Sequence, residues 1–207
     1  MKENLLIIGA SGHGKVVADV ASQMNKWRNI AFLDDNENLK KSMGYKVLGS
    51  SKEVHAYIDE YDVFIGIGDN ELRERFYKKM QVLGASIPTL VHPSATISDH
   101  VEIGEGTIVM PGSVINCNTR IGKACIINTS ATIDHDNEIK DFVHVSPGVN
   151  IAGTVEVGKS TWLGIGSIVS NNIRITNNCI IGAGAVVTED INKSGTYIGV
   201  PIRRVIE

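Results

Sequence analysis

The sequence predicts an α/β unit followed by a parallel β-helix, and three observations carry that expectation. Every sixth residue from Ile97 to Val187 is Ile, Val or Leu, sixteen positions with no break in phase. Two residues before most of them stands a small or β-branched side chain, such as Ala95, Thr107, Ser113, Cys125, Ala131 or Ala185, with Asn137 the polar exception. Ahead of this repeat, residues 1–92 alternate apolar runs with helical patterns, the rhythm of a parallel sheet with crossover helices.

A hexad is too short for a helical repeat unit and out of step with the 3.6-residue period of helical stripes. It suits a short strand and a turn, and residues two apart on a strand share a face. Three such sides close into a coil of 18 residues, and stacked coils pair backbone to backbone at about 4.8 Å. One aliphatic per side then fills the axis, which is the hexapeptide form of the parallel β-helix. Spacing alone does not give its hand.

In residues 1–92 the run Leu5 to Ile8 reads as a buried parallel strand. Gly9-Ala10-Ser11-Gly12-His13-Gly14 follows, then a helix over Lys15 to Met24, then a second strand over Ile30 to Leu33 ending in Asp34-Asp35. Strand, glycine-rich turn, helix, strand, acid is the outline of a Rossmann-like nucleotide-binding unit, with helix amides ready for a phosphate. The glycines at 9, 12 and 14 depart from G-x-G-x-x-G. Ser50 to Tyr61 is expected as a helix capped by Ser50, Asp62 to Gly68 as a strand, Glu71 to Leu83 as a helix closed by Gly84, and Ile87 to Val91 as an edge strand. This is about half a dinucleotide fold, room for one mononucleotide, so NAD is disfavoured. His92-Pro93 marks the expected boundary between a domain at 1–92 and one at 93–207, whose β-helix runs to about Val187 and ends in a tail from Thr188.

The formal net charge of −3 gives no sign of nucleic-acid or membrane binding. No apolar run approaches a membrane span and no signal-peptide pattern opens the chain, which suggests a cytoplasmic protein. Cys117, Cys125 and Cys179 read as free thiols in a reducing compartment. The six His show no metal-ligand spacing, so no metal is expected.

The motifs Gly9 to Gly14, Phe32-Leu33-Asp34-Asp35, Gly66-Ile67-Gly68-Asp69-Asn70, Asn128-Thr129-Ser130, Asp134-His135-Asp136, His144-Val145-Ser146-Pro147-Gly148 and Gly199-Val200-Pro201 extend over the whole chain. In this order the chain resembles the bacterial sugar acetyltransferases of the PglD and NeuD type. The resemblance implies a left-handed β-helix, acetyl-CoA as co-substrate, and a homotrimer with acetyl-CoA between neighbouring subunits. It implies N-acetylation of UDP-linked 4-amino-4,6-dideoxy sugars or O-acetylation of sialic acids.

Carried over residue by residue, the general base falls on His135 and the acid that raises its basicity on Asp136, where the PglD type has Glu. Acetyl-CoA contacts fall on His144, Ile165 and Ala183, the last in place of a family glycine. Nucleotide-sugar contacts fall on Ser11, Gly12, His13, Asp34, Asp35 and Gly68. Counting by coils puts Cys117 below His135 and Gly153 above it, and Gly153 is expected to leave room for the thioester arm. Pro147, Ile165 and Ala183 form an apolar column, and His144 stacks under Trp162. Arg203 and Arg204 are either a solvated tail or a contact for CoA phosphates. O-acetylation of a sugar acid, transfer of another acyl group such as formyl, and a non-catalytic binding β-helix stay open at this level.

Overall fold

The computed structural model describes residues 2–205; Met1, Ile206 and Glu207 lie outside the described residues. The chain divides into two compact units, Met1–Pro93 and Ser94–Glu207.

The first unit opens with β1 (Asn4–Ile8), whose residues from Leu5 onward are buried on both faces as the continuous apolar run requires. Helix α1 (Gly12–Met24) buries Val17, Ala18, Val20 and Ala21, and it begins three residues before the expected start at Lys15. After β2 (Asn29–Leu33) comes a hairpin that sequence reasoning missed, β3 (Lys41–Ser42) with β4 (Tyr45–Lys46). Its two-residue turn places Met43 and Gly44 at φ 50° and 82°, the backbone twist a tight hairpin needs. The signal was Gly44 alone.

The helix expected over Ser50 to Tyr61 is instead a 3₁₀ helix over Ser51–Ala56, started by Ser50 N–H donating to the Glu53 carboxylate at 2.9 Å. It stops early because Tyr61 already belongs to β5 (Tyr61–Ile65). That strand ends three residues short of Gly68. A Cβ on Gly66 would lie 2.7 Å from Ile7 and 3.0 Å from the Gly14 backbone, so the chain turns there against α1. Helix α2 (Asn70–Val82) is capped by Asp69, which accepts from Leu72 N–H at 2.8 Å, and Gly84 follows at φ 69°. Of the strand expected over Ile87 to Val91, only β6 (Leu90–Val91) forms. The strands β2, β1 and β5 lie side by side in that order, all parallel.

The second unit is a three-sided parallel β-helix. Face one stacks Thr96–Ile97, Val114–Ile115, Thr132–Ile133, Asn150–Ile151, Ile168–Val169 and Val186–Val187. Face two stacks Glu102–Ile103, Arg120–Ile121, Glu138–Ile139, Glu156–Val157 and Arg174–Ile175. Face three stacks Ile108–Val109, Ile126–Ile127, His144–Val145, Trp162–Leu163 and Cys179–Ile181. Partners are eighteen residues apart throughout. In each two-residue strand the first residue points out and the second in, Cys179–Ile181 adding one more inward residue at its start, and from Val109 to Val187 every axial aliphatic is buried. Each such side chain stabilises the coil by about 1.5–3 kcal/mol.

Between sides the backbone turns through one left-handed residue, at 100, 106, 112 and every sixth position to 184, with φ between 48° and 73°. Asp136 is one of these corners, at φ 56°. The prism continues past Val187: Ile191 bridges Ile175 and Gly195–Ile198 pairs Cys179–Ile181, sixteen residues on instead of eighteen. Arg203–Arg204 then pairs back antiparallel on Ile198 and Tyr197. The stretch expected as a tail from Thr188 is therefore a shortened last coil closed by a hairpin, with Ile191 and Ile202 as its buried anchors.

Candidate active site

Asp134, His135 and Asp136 occupy the corner between faces one and two. The left-handed turn at Asp136 brings its carboxylate back to the preceding ring, so Asp136 Oδ2 accepts from His135 Nδ1–H at 2.8 Å. That bond fixes the tautomer and leaves Nε2 as the basic nitrogen. Asp134 Oδ1 accepts the backbone N–H of His135 at 2.9 Å. The hydrogen bond to Asp136 is the largest cause of a His135 pKa held above its usual value; desolvation opposes it, and the nearby charges of Asp134 and Asp136 each add a smaller upward push. Both carboxylates are held low: Asp134 first by its bond from Asn116, Asp136 first by its bond with His135.

Asn116 Nδ2 donates to Asp134 at 2.8 Å and Asn118 Nδ2 donates to Asp136 at 3.2 Å. Each stands one coil below the acid it holds. The eighteen-residue column count contained both, but at this corner sequence reasoning applied it only to the histidine.

Gly153 corrects an expectation. A Cβ built there would lie 2.6 Å from both Cε1 and Nε2 of His135. The space above the column is therefore taken by the imidazole itself, and it is not an open slot for a thioester arm. Cys117, below, is exposed and offers its carbonyl to Asp136 N–H at 3.1 Å.

His144 stands on face three, away from the His135 corner. Its ring stacks on Trp162 with centroids 5.7 Å apart and planes 7° from parallel, as the column count required. Asn128 Nδ2 donates to His144 Nε2 at 3.2 Å, and Trp162 Nε1–H donates to Ser146 Oγ at 2.7 Å. Ile165 and Ala183 lie at the next corner, between faces three and one, both exposed. With Trp162, Ile168 and Ile180 they make an uncovered apolar edge, Ile165 being 58% exposed. Face two is different, carrying Glu102, Arg120, Glu156 and Arg174 in exposed cross-strand ion pairs. Within one chain, then, His135 and the apolar column sit at different corners.

In the first unit the turn after β1 folds tightly onto α1. Gly9 sits at φ 97°, and a Cβ on Gly14 would lie 1.9 Å from its carbonyl oxygen, so only glycine allows this approach. Ser11 is the N-cap of α1 and makes no capping bond with its side chain, while Gly12 faces open space. Ser11 and Asp34 line a cavity of about 400 Å³ together with Lys15, Lys41, Ser42 and Met43. Asp34 Oδ2 accepts Ala10 N–H at 2.8 Å and its Oδ1 accepts Asn36 N–H at 2.9 Å, which ties β2 to the turn.

Asp35 does not line this cavity; it accepts from Ser51 N–H and Oγ at 2.9 and 3.1 Å and anchors the 3₁₀ helix. His13 packs beside Gly68, its Nε2 enclosed with no hydrogen-bond partner. Burial, then the Arg73 charge, lowers its pKa to about 4, so the ring is neutral near neutral pH. Arg73, buried and unnoticed in the sequence, donates to Gly68 O at 2.9 Å and Asn70 Oδ1 at 2.7 Å and so shapes the loop that carries Gly68.

Among the described residues no three His, Cys, Asp or Glu side chains converge to hold a metal ion. Nor is any helix among them long and apolar enough to cross a membrane.

One consequence for pH dependence follows from the acid–histidine pair. Replacing Asp136 by Asn removes the largest cause of the raised His135 pKa. The acidic limb of a kcat–pH profile, which reports the free base, is expected to move to lower pH in Asp136→Asn. A limb that stays in place would mean that another group sets it.

Comparison with known proteins gives the context for this geometry. The PglD N-terminal domain family matches residues 4–80. The acetyltransferase domain of PglB from Neisseria gonorrhoeae FA1090, solved in complex with acetyl coenzyme A, superposes with a TM-score of 0.96 at 32% identity, over 99% of this chain and 100% of that one. A mutant of perosamine N-acetyltransferase from Caulobacter crescentus, in complex with CoA and GDP-perosamine, gives 0.95 at 34% identity, over 99% and 97%. Among curated proteins, UDP-N-acetylbacillosamine N-acetyltransferase of Bacillus subtilis (strain 168) is 35% identical over 109 residues, 51% of this chain and 50% of that protein. The match thus spans about half the length of that relative. A full-length structural match at this identity, on a chain with this turn and this histidine corner, fixes the family: the chain belongs to the PglD-type hexapeptide-repeat sugar acetyltransferases.

Proposed function

We propose that this protein is an acetyl-CoA-dependent N-acetyltransferase whose acceptor is a UDP-linked 4-amino-4,6-dideoxy sugar. The observation that carries this reading is the His135–Asp136 pair, with Nδ1 committed to the acid and Nε2 left basic on an exposed corner. His135 Nε2 takes a proton from the acceptor ammonium, and the freed amine attacks the thioester carbonyl. The C–N bond forms, the attacking nitrogen releases its second proton to solvent, and the C–S bond breaks while a backbone amide steadies the oxyanion. The departing thiolate takes back the proton held by His135. The nucleotide belongs to the first unit, at Ser11, Gly12, His13, Asp34 and Gly68, with Asp35 acting through the 3₁₀ helix. The named relatives support this assignment, since they act on nucleotide-linked amino sugars or are solved with CoA.

His144, Ile165 and Ala183 are the residues we assign to acetyl-CoA, their exposed apolar column being suited to a pantetheine chain. Gly153 enters this assignment only through the space it gives to His135. Since that column and His135 occupy different corners of one prism, the site is incomplete in a single chain. We therefore assign a homotrimer in which a neighbouring copy completes it, covering the apolar edge at Trp162, Ile165 and Ile168. A cytoplasmic setting, with acetyl-CoA at hand and reduced thiols at Cys117, Cys125 and Cys179, fits these roles.

The test is transfer from acetyl-CoA to UDP- and GDP-linked 4-amino-4,6-dideoxy sugars and to free sialic acid, with the mass measured by light scattering under assay conditions. Turnover on the UDP-linked amine by a trimer is expected. Turnover on sialic acid alone, or full activity from a monomer, would overturn the corresponding part of the reading.

A further inference from the structure

We infer that Asn137 is a positioning residue for His135, an assignment that rests on the transfer role proposed above. Asn137 breaks the small or β-branched rule of the inward positions, and it is buried. Its amide does two separable things. Oδ1 accepts the N–H of Val155 in the coil above at 2.8 Å. Nδ2 donates to the carbonyls of Asp134 at 2.6 Å and of His135 at 3.3 Å. One side chain thus grips two consecutive carbonyls just before the left-handed turn at Asp136, which sets the direction of the His135 ring. Thr119, one coil below, adds a hydroxyl bond to Asp134 O at 2.7 Å and accepts Asn137 N–H at 3.3 Å. With Asn116 and Asn118 outside the prism and Thr119 and Asn137 inside it, the base is framed from both sides of the wall.

The fold itself supplies the control. Thr107, Thr119 and Thr161 occupy equivalent inward slots, and each accepts the N–H eighteen residues on, at Cys125, Asn137 and Cys179. Each also donates fifteen residues on, to Gly122 O, Asp134 O and Thr176 O. A threonine at 137 would by the same pattern satisfy Val155 N–H while directing its hydroxyl toward the carbonyl of Ala152, away from His135. Asn137→Thr therefore keeps the structural bond and removes the tether.

The experiment compares wild type and Asn137→Thr by thermal melting, by NMR titration of the His135 ring and by steady-state kinetics. A melting temperature close to wild type is expected, with kcat lowered about tenfold or more by the misplaced base and KM for acetyl-CoA unchanged. The His135 midpoint is expected to fall toward its ordinary value as the bond to Asp136 loosens. Wild-type midpoint and kcat in Asn137→Thr would overturn the inference. So would unfolding of both Asn137→Thr and Asn137→Ser, because the role would then be structural. Should no amino-sugar nucleotide accept an acetyl group, only the transfer reading fails, and the His135 midpoint still decides whether Asn137 sets the ring.

Discussion

Replacing His135 by alanine is expected to lower kcat by about 10²–10⁴-fold, the usual worth of a positioned general base. The fold, the oligomer and acetyl-CoA binding should survive, since the side chain is half exposed and lies outside the axial column. The defect should shrink as pH rises for an amine acceptor. More of the amine is then already neutral, and less deprotonation is left for the protein to do. A hydroxyl acceptor stays protonated across the accessible range and should show no such recovery, so one pH series tests both the base and the class of acceptor. Near wild-type kcat in His135→Ala at neutral pH would remove His135 from the mechanism and turn attention to His144 or Cys117.

Gly153→Ala is expected to cost nearly as much in rate while touching no functional group. Gly153 is not at a left-handed corner, so its backbone accepts a Cβ without conformational strain. The nearest atoms that Cβ would meet are Cε1, Nε2 and Nδ1 of His135, at 2.6, 2.6 and 3.1 Å. The ring must then swing away from Gly153 and from the oxygen of Asp136. A displacement of about 1 Å at a reacting group costs on the order of 10²-fold. The melting temperature should hardly change, because an exposed ring can move into solvent at little cost. The measurement is kcat beside a thermal melt, together with the double variant His135→Ala/Gly153→Ala. If Gly153 acts only through the ring, the second substitution adds no further loss once the ring is gone. Unchanged kcat in Gly153→Ala, or a further loss in the double variant, would contradict this account.

How much of this was legible in the sequence differs between the two units. The β-helix was legible almost entirely, because each hexad is one side of the prism and errors of phase cannot hide over sixteen repeats. Its register, the stacking of His144 on Trp162 and the buried state of Cys125 and Cys179 all follow from counting. The last coil escaped because a sixteen-residue turn breaks the count on which the reading depends. In the first unit the β1–α1–β2 core was legible from apolar runs and the glycine turn. The helix after Ser50 was legible in its start, though not in its 3₁₀ form or its end at Ala56, and the hairpin at Met43-Gly44 was missed, being a short element fixed by one turn.

The candidate site divides along the same line. The sequence by itself determined that His135 and Gly153, eighteen residues apart, share one column, with an acid on either side of the histidine. Periodicity fixes position along the chain and around the prism. It does not fix where a side chain points. Only the tertiary structure decided that the imidazole fills the space over Gly153, that Asp35 turns to Ser51 while Asp34 faces the cavity, and that Asn116, Asn118 and Asn137 hold the acids and carbonyls around the base. Those outcomes depend on rotamers and on hydrogen bonds between coils eighteen residues apart, where each polar group takes the partner that packing leaves within about 3 Å of it.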